Sequence, residues 1–248
     1  MRIGGIIDIS TKDIPHRSSM VIFTVGCNFK CEFCHNKYLL DPIVGKSYQV
    51  EELIKHIKSN SLVSSVSITG GEPTLQNDLL DLCKEISKTD KYISIDTNGS
   101  NPELLKKLVP YINRVALDLK GPLIPEKLKK ITGVTVDVNK IIETIKFLNT
   151  QKGLDFEIRT TYEGNLLSPD DFQSIIEFLK GIGFKHNFVL QQYQYREGVG
   201  EKFKEIFLKP EHDALIDLLR PYKDLVLSFN IFLRDEVVGY SKIEELFN

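Results

Sequence analysis

The sequence predicts an α/β chain built as a partial, open-sided (β/α)6-type barrel with a C-terminal extension. Three observations predict it. Apolar runs of about six residues alternate with stretches of helical period, the pattern of a parallel sheet covered by helices. The units number six or seven, short of the eight that close a TIM barrel. The unusual polar residues fall just after the apolar runs, at the strand ends where barrel folds carry their reactive groups. With 248 residues and no linker or repeat, the chain reads as one domain, 1–248, with its core at about 18–230.

The elements follow in order. The apolar run 20–25 is the first strand. A helix over 50–60 places Val50, Leu53, Ile54 and Ile57 on one face. Residues 66–69 form the next strand, and Pro73 opens a helix that runs to 88, with Leu75, Leu79, Leu82, Cys83 and Ile86 as its stripe. Strand 92–96 precedes a short helix at 102–108. Strand 114–119 precedes a helix at 138–148, whose Ile141, Ile142, Ile145 and Leu148 face inward. Strand 156–160 precedes a helix opened by the capping box Ser168-Pro169-Asp170-Asp171 and closed by Gly181 and Gly183. Strand 188–192 is followed by helical segments at 202–208 and 211–219. Residues 225–229 supply a possible seventh strand.

On this layout the strand ends carry a common rim. A cysteine loop follows the first strand and Gly70-Gly71-Glu72-Pro73 the second. Asp96-Thr97-Asn98-Gly99 ends the third, Asp118 and Lys120 the fourth. Arg159 and Thr161 end the fifth, and Gln191, Gln192 and Gln194 the sixth.

Composition narrows the partners. The net charge of −2 gives no bulk affinity for nucleic acid. The densest basic run, Glu126-Lys127-Leu128-Lys129-Lys130, reads as a solvated helix face. The start lacks the charged and apolar regions of a signal peptide, and no apolar run approaches the roughly 20 residues that span a bilayer. The expectation is a cytoplasmic protein without a membrane partner. Four cysteines in such a chain point to metal or catalysis rather than disulfides.

Three of the cysteines stand in Gly26-Cys27-Asn28-Phe29-Lys30-Cys31-Glu32-Phe33-Cys34-His35-Asn36. Zinc could take Cys27, Cys31, Cys34 and His35, although structural zinc usually draws its ligands as two separated pairs. Cys31-Glu32-Phe33-Cys34-His35 formally matches a haem attachment site, which would leave Cys27 without a role. An iron–sulfur cluster suits three thiolates. Cys83 reads as a core thiol on a helix stripe, so one iron would stay open, as a catalytic metal requires.

Cys27-x3-Cys31-x2-Cys34, with Phe33 before the last cysteine and Gly70-Gly71-Glu72-Pro73 downstream, resembles the radical S-adenosylmethionine (radical SAM) enzymes. The resemblance implies a [4Fe–4S] cluster whose open iron is chelated by SAM. One electron then cleaves SAM to methionine and a 5′-deoxyadenosyl radical, which abstracts a hydrogen atom. Within the family the chain is most similar to activases of glycyl radical enzymes. Cys34-His35-Asn36, Asp96-Thr97-Asn98-Gly99 and Leu117-Asp118-Leu119-Lys120 carry that likeness. Gly4-Gly5-Ile6, Asp13-Ile14-Pro15, Val21-Ile22-Phe23-Thr24, Arg159-Thr160-Thr161 and Val189-Leu190-Gln191-Gln192 resemble the anaerobic ribonucleotide reductase activating type.

The resemblance implies roles for the rim. Phe33 and the His35 backbone would line the adenine, with Asn36 among the cofactor-binding residues. Gly70, Gly71 and Glu72 would meet the SAM amine, the glycines admitting close backbone approach. Lys120 would bind the carboxylate, Arg159 would pair with that carboxylate or with a rim acid, and Gln192 and Gln194 would be cofactor-binding. Asp96, Thr97 and Asp118, with the Ala116 carbonyl, would form a possible monovalent-cation site. The implied partners are a glycyl radical enzyme and a flavodoxin or ferredoxin electron donor.

Two departures stand out. Ile14-Pro15-His16-Arg17 replaces the Gly-Pro-Gly loop of many activases, and Gln194 stands where a histidine is used. Two rivals remain: a radical SAM enzyme acting on a small molecule, such as a deazapurine precursor, or on RNA, and a non-catalytic metal-binding module. A glycine loop needs a wide lateral opening, whereas a small-molecule enzyme should close that opening with polar or charged side chains; the stretches 193–197 and 237–248 are the candidates for that wall.

Overall fold

A computed structural model describes residues 1–247. The elements in chain order are β1 (Arg2–Ser10), β2 (Ser19–Thr24), β3 (Lys46–Ser47), α1 (Val50–Ser59), β4 (Ser65–Gly70), α2 (Leu79–Ile86), β5 (Tyr92–Thr97), α3 (Pro102–Leu108), β6 (Arg114–Asp118), α4 (Pro125–Thr132), α5 (Val138–Asn149), β7 (Asp155–Tyr162), α6 (Pro169–Gly181), β8 (Asn187–Gln192), α7 (His212–Leu219), β9 (Asn230–Asp235) and β10 (Gly239–Lys242). They form one ten-stranded sheet in the order β10-β9-β8-β7-β6-β5-β4-β2-β1-β3. The run from β2 to β9 is parallel throughout. β1 and β10 flank it antiparallel, on β2 and β9. The sheet ends in β3 on one side and β10 on the other, so the barrel is open, as the sequence predicts. No helix among the described residues is long and apolar enough to cross a membrane.

The strand pleat separates two environments. Ile93, Ile95, Val115, Leu117, Phe156, Ile158, Phe188 and Leu190 point outward and form the apolar core with the helices. Burial of each such side chain contributes about 1.5–3 kcal/mol. Residues of the other parity, among them Asp96, Arg114, Asp118, Glu157 and Arg159, face the bore and make it polar. Local chemistry sets the helix starts. Glu52 accepts the Gln49 N–H (2.8 Å) ahead of α1, and Ser168 and Asp171 exchange hydrogen bonds at α6. Asn101 accepts the Leu104 N–H (3.2 Å) at α3.

Four expectations change. The seventh strand is β9, not 225–229. Ile231, Leu233 and Asp235 alternate as the buried face of β9 beside β8, whereas Leu225 and Val226 are exposed. Residues 202–208 make a single 3-10 turn, Glu201–Phe203, bracketed by Gly200 and Pro210; Phe203 and Phe207 stack there instead of lying along a helix. The helix expected from Pro73 is a 3-10 turn, Pro73–Leu75, followed by α2, because the Glu72 side chain caps the turn at Thr74. β1 was not foreseen; its one clear alternation, Ile7-Asp8-Ile9, lies on a half-exposed flank. The basic run at 126–130 does sit on a solvated helix, α4, which buries Leu128 and Ile131 beneath it.

Candidate active site

β2 delivers the cysteine loop to the C-terminal rim. Gly26 (φ +89°) turns the chain; its N–H donates to the Leu39 carbonyl (2.7 Å) and its carbonyl accepts from the Glu72 N–H (2.7 Å). The Gly71 N–H donates to the Thr24 carbonyl (2.8 Å). A Cβ on Gly71 would stand 2.0 Å from the Gly26 oxygen, and one on Gly70 (φ +112°) 2.4 Å from the Thr24 nitrogen. These glycines therefore have a duty the sequence did not reveal: they let the end of β4 lie flush against the cysteine loop. Gly71→Ala is expected to cost about 1–3 kcal/mol through overpacking. It should also lower the iron retained per chain after reconstitution, read by iron assay beside a denaturation curve.

The far side of the loop is pinned as well. The Lys30 N–H donates to the Thr132 carbonyl (2.8 Å) at the end of α4. Asn98 donates to Asn28 (2.8 Å), which donates to Ser100 (2.8 Å).

Cys27, Cys31 and Cys34 all line one cavity of about 260 Å³. Burial pushes the Cys27 thiol up to about 12, with Glu72 and Cys31 adding to it, and pushes Cys31 up to about 11 against the pull of Lys120. Metal ligation releases those protons. Among the described residues no three His, Cys, Asp or Glu side chains converge on a single ion. A cubane cluster does not ask them to, because each thiolate binds a different iron around a shared void. Cys83 is fully buried on α2, away from that cavity. The donor set thus fits a three-thiolate cluster.

Glu72 is 1% exposed and held entirely by the protein. One carboxylate oxygen accepts from the Thr74 N–H (3.1 Å), the Thr74 hydroxyl (2.6 Å) and the Thr97 hydroxyl (2.8 Å); the other accepts from the Asn98 N–H (2.7 Å). It locks the ends of β4 and β5 together beside the cysteines.

Across the cavity, Lys120 pairs with Asp118 (3.1 Å). Burial opposes the charge of Lys120, but Asp118 and the nearby Cys31 and Cys34 hold it above the usual lysine range. Arg159 bridges Asp96 (3.1 Å) and Asp118 (2.9 Å). Burial works against the Asp118 charge, yet Arg159 and Lys120 hold its carboxyl down at about 2. Phe33 is buried, edge-on to Phe207, and lines the cavity with His35 and Asn36. The His35 Nε2 is buried without a hydrogen-bond partner, and burial lowers its basicity.

Not every expected residue reaches this cavity. Gln192 is buried, donating to the Pro210 carbonyl (2.8 Å) and accepting from the Glu236 N–H (3.2 Å). Gln194 stands outside, where Arg196 donates to it (3.1 Å). Strand parity explains Gln192: Gln191, one residue before it, has the inward direction and lines the cavity, while Gln194 lies beyond the end of β8. Arg234 on β9 also lines it; the sequence places the seventh strand at 225–229, too early to include it. Gly198 was missed too. A Cβ there would stand 1.8 Å from the His35 oxygen, so the segment after β8 lies directly on the cysteine loop.

Residues 21–182, well over half of the chain, match the profile of the Radical SAM superfamily. The chain belongs to the radical SAM superfamily. A relative from Methanocaldococcus jannaschii, named "Putative glycyl-radical enzyme activating enzyme MJ1227", is 32% identical over 219 residues, covering 85% of this chain and 88% of the relative. A Thermococcus kodakarensis protein named "Probable GTP 3',8-cyclase" is 34% identical over 146 residues, covering 56% of this chain and 47% of its own. Among solved structures, Streptococcus suis SuiB bound to S-adenosylmethionine superposes with a TM-score of 0.65 at 20% identity, covering 87% of this chain and 50% of SuiB. That likeness concerns the fold. Radical SAM membership implies a [4Fe–4S] cluster and SAM.

Proposed function

We propose that this radical SAM enzyme activates a partner protein by taking a hydrogen atom from a backbone glycine. The observation that supports the reading best is a lateral slot of about 760 Å³ beside the cysteine cavity. It shares His35, Gln191 and Arg234 with that cavity, so an extended segment entering from the side would end against the SAM site. Of the stretches expected to wall it, Gln194, Arg196, Gly239 and Tyr240 line the slot, while Tyr193 is buried. Asn248 lies outside the described residues. The M. jannaschii relative's name, over most of both chains, supports the same reading.

In this scheme Cys27, Cys31 and Cys34 would hold the [4Fe–4S] cluster. When bound, it would supply the one-electron reduction that cleaves SAM to methionine and a 5′-deoxyadenosyl radical, whose capture of one hydrogen atom would give 5′-deoxyadenosine. Lys120 meets the SAM carboxylate as a compact cation. Phe33, His35 and Asn36 flank the adenine. Gly70 and Gly71 keep the strand end close to the amine, and Glu72 fixes that end rather than reaching for the ligand. A flavodoxin or ferredoxin supplies the electron.

The test is label transfer. The reconstituted, reduced enzyme is mixed with a glycyl radical enzyme encoded beside it, grown with α-deuterated glycine. Deuterium is expected in 5′-deoxyadenosine, together with a glycyl radical resonance in the partner. A second reading has its own support: Lys12, Arg196 and Arg234 outnumber Asp235 and Glu236 in the slot, a net positive lining suited to an anionic small molecule, and the cyclase relative resembles over half of the chain. Unlabelled 5′-deoxyadenosine with every such partner, and stimulation by nucleoside triphosphates, would move the assignment there.

A further inference from the structure

Charges alternate up the bore toward the cysteine cavity. The Tyr240 hydroxyl donates to Glu157 (3.1 Å), and Glu157 accepts from Arg114 (2.9 Å). Arg114 stands 3.7 Å from Asp96 Oδ1. Asp96 Oδ2 pairs with Arg159 (3.1 Å), Arg159 with Asp118 Oδ1 (2.9 Å), and Asp118 Oδ2 with Lys120 (3.1 Å).

Asp96, Thr97 and Asp118 are the residues for which family resemblance implies a monovalent cation. Here they do not fit one. Asp96 already faces two guanidinium groups, and Asp118 faces a guanidinium and an ammonium. The Thr97 hydroxyl donates to Glu72 and accepts from the Gly99 N–H (3.1 Å). Of the four carboxylate oxygens, only Asp96 Oδ1 lacks a hydrogen bond, and it looks onto Arg114 Nη1. A sodium or potassium ion between Asp96 and Asp118 would sit beside the Arg159 guanidinium, whose like charge repels it.

We infer that Arg159 supplies the positive charge between Asp96 and Asp118, so that this enzyme binds SAM without a monovalent cation. Arg159 is then a positioning residue. It fixes Asp118, which in turn fixes Lys120 at the cavity wall. The inference rests on the cysteine cavity being the SAM site.

The test is the SAM affinity of the reconstituted full chain in potassium, sodium or tetramethylammonium chloride at equal ionic strength. Equilibrium dialysis gives the affinity, and the electron paramagnetic resonance change of the reduced cluster on SAM addition is followed in parallel. The wild-type affinity is expected to agree within about twofold across the three salts. Arg159→Gln should bind at least about tenfold more weakly in tetramethylammonium, and potassium should restore part of the loss by entering the vacated position. Wild-type binding more than about fivefold tighter in potassium or sodium would overturn the inference, whether or not the variant folds. Unchanged, salt-independent binding by Arg159→Gln would overturn it too. Absence of SAM binding in every salt would remove the SAM assignment itself, and this inference with it.

Discussion

Cys31→Ala is expected to lower reductive formation of 5′-deoxyadenosine by roughly a thousandfold or more. Cys31 is the most buried of the three loop cysteines and lies between the other two in the chain. Iron–sulfur cubanes are held by thiolates, and two ligands on a loop this short leave half of the cluster unanchored. The loop backbone should survive the change, because Gly26, Asn28 and Lys30 carry its tethers to Leu39, Asn98 and Thr132. Lost activity should therefore appear with lost iron and lost charge-transfer absorbance, at nearly unchanged far-ultraviolet circular dichroism. Cys83→Ala is the paired measurement. That thiol sits in the core of α2, where burial alone pushes it up to about 12. Its loss should cost about 1–2 kcal/mol of stability and leave iron content intact. Loss of iron in Cys83→Ala would mean a fourth thiolate ligand and no open iron, and the SAM chemistry would fall with it.

The rim was legible because it is local. Cys27, Cys31 and Cys34 stand within one loop, and Gly70-Gly71-Glu72 within the next. A strand period of two and a helix period near four were enough to place those loops at the same end of the sheet. What escaped depends on relations between strands. Gln192 and Gln191 look alike in sequence, and only the pleat decides which of them faces the bore. Arg234 escaped because 225–229 and 230–235 are both apolar runs, and pairing with β8 selects the second. In sequence the glycines read as making room for a ligand; the atoms they spare belong to Thr24 of the neighbouring strand and Gly26 of the cysteine loop. The charge ladder could not be read along the chain at all. Its members come from β5, β6, β7 and β10 and the residue Lys120 beyond β6, and each looks like an ordinary polar residue until the strands are laid side by side.

Arg114→Met should show what that ladder costs to break. Arg114 is 4% exposed and donates to Ser94 (2.8 Å) and Glu157 (2.9 Å), with Asp96 close by. Methionine keeps much of the volume but removes the salt-bridge partner of the buried Glu157 and leaves Arg159 as the salt-bridge partner of Asp96. Removing one partner of a buried ion pair typically costs about 3–5 kcal/mol, a large part of the roughly 5–15 kcal/mol by which a domain is stable. The fall should be read as a shift in the anaerobic denaturation midpoint. Arg114→Met with Glu157→Leu should recover much of it, since an apolar replacement of both partners leaves one fewer stranded charge. The sign with pH follows from Asp96. Burial already raises its carboxyl above the usual range, and Arg159 and Arg114 pull it back. Without Arg114 it rises further, so the deficit of Arg114→Met is largest where carboxylates are ionised and shrinks as acid protonates them. A deficit that grew toward acid would mean that Arg114 acts through volume rather than charge, and the ladder would then be packing rather than electrostatics.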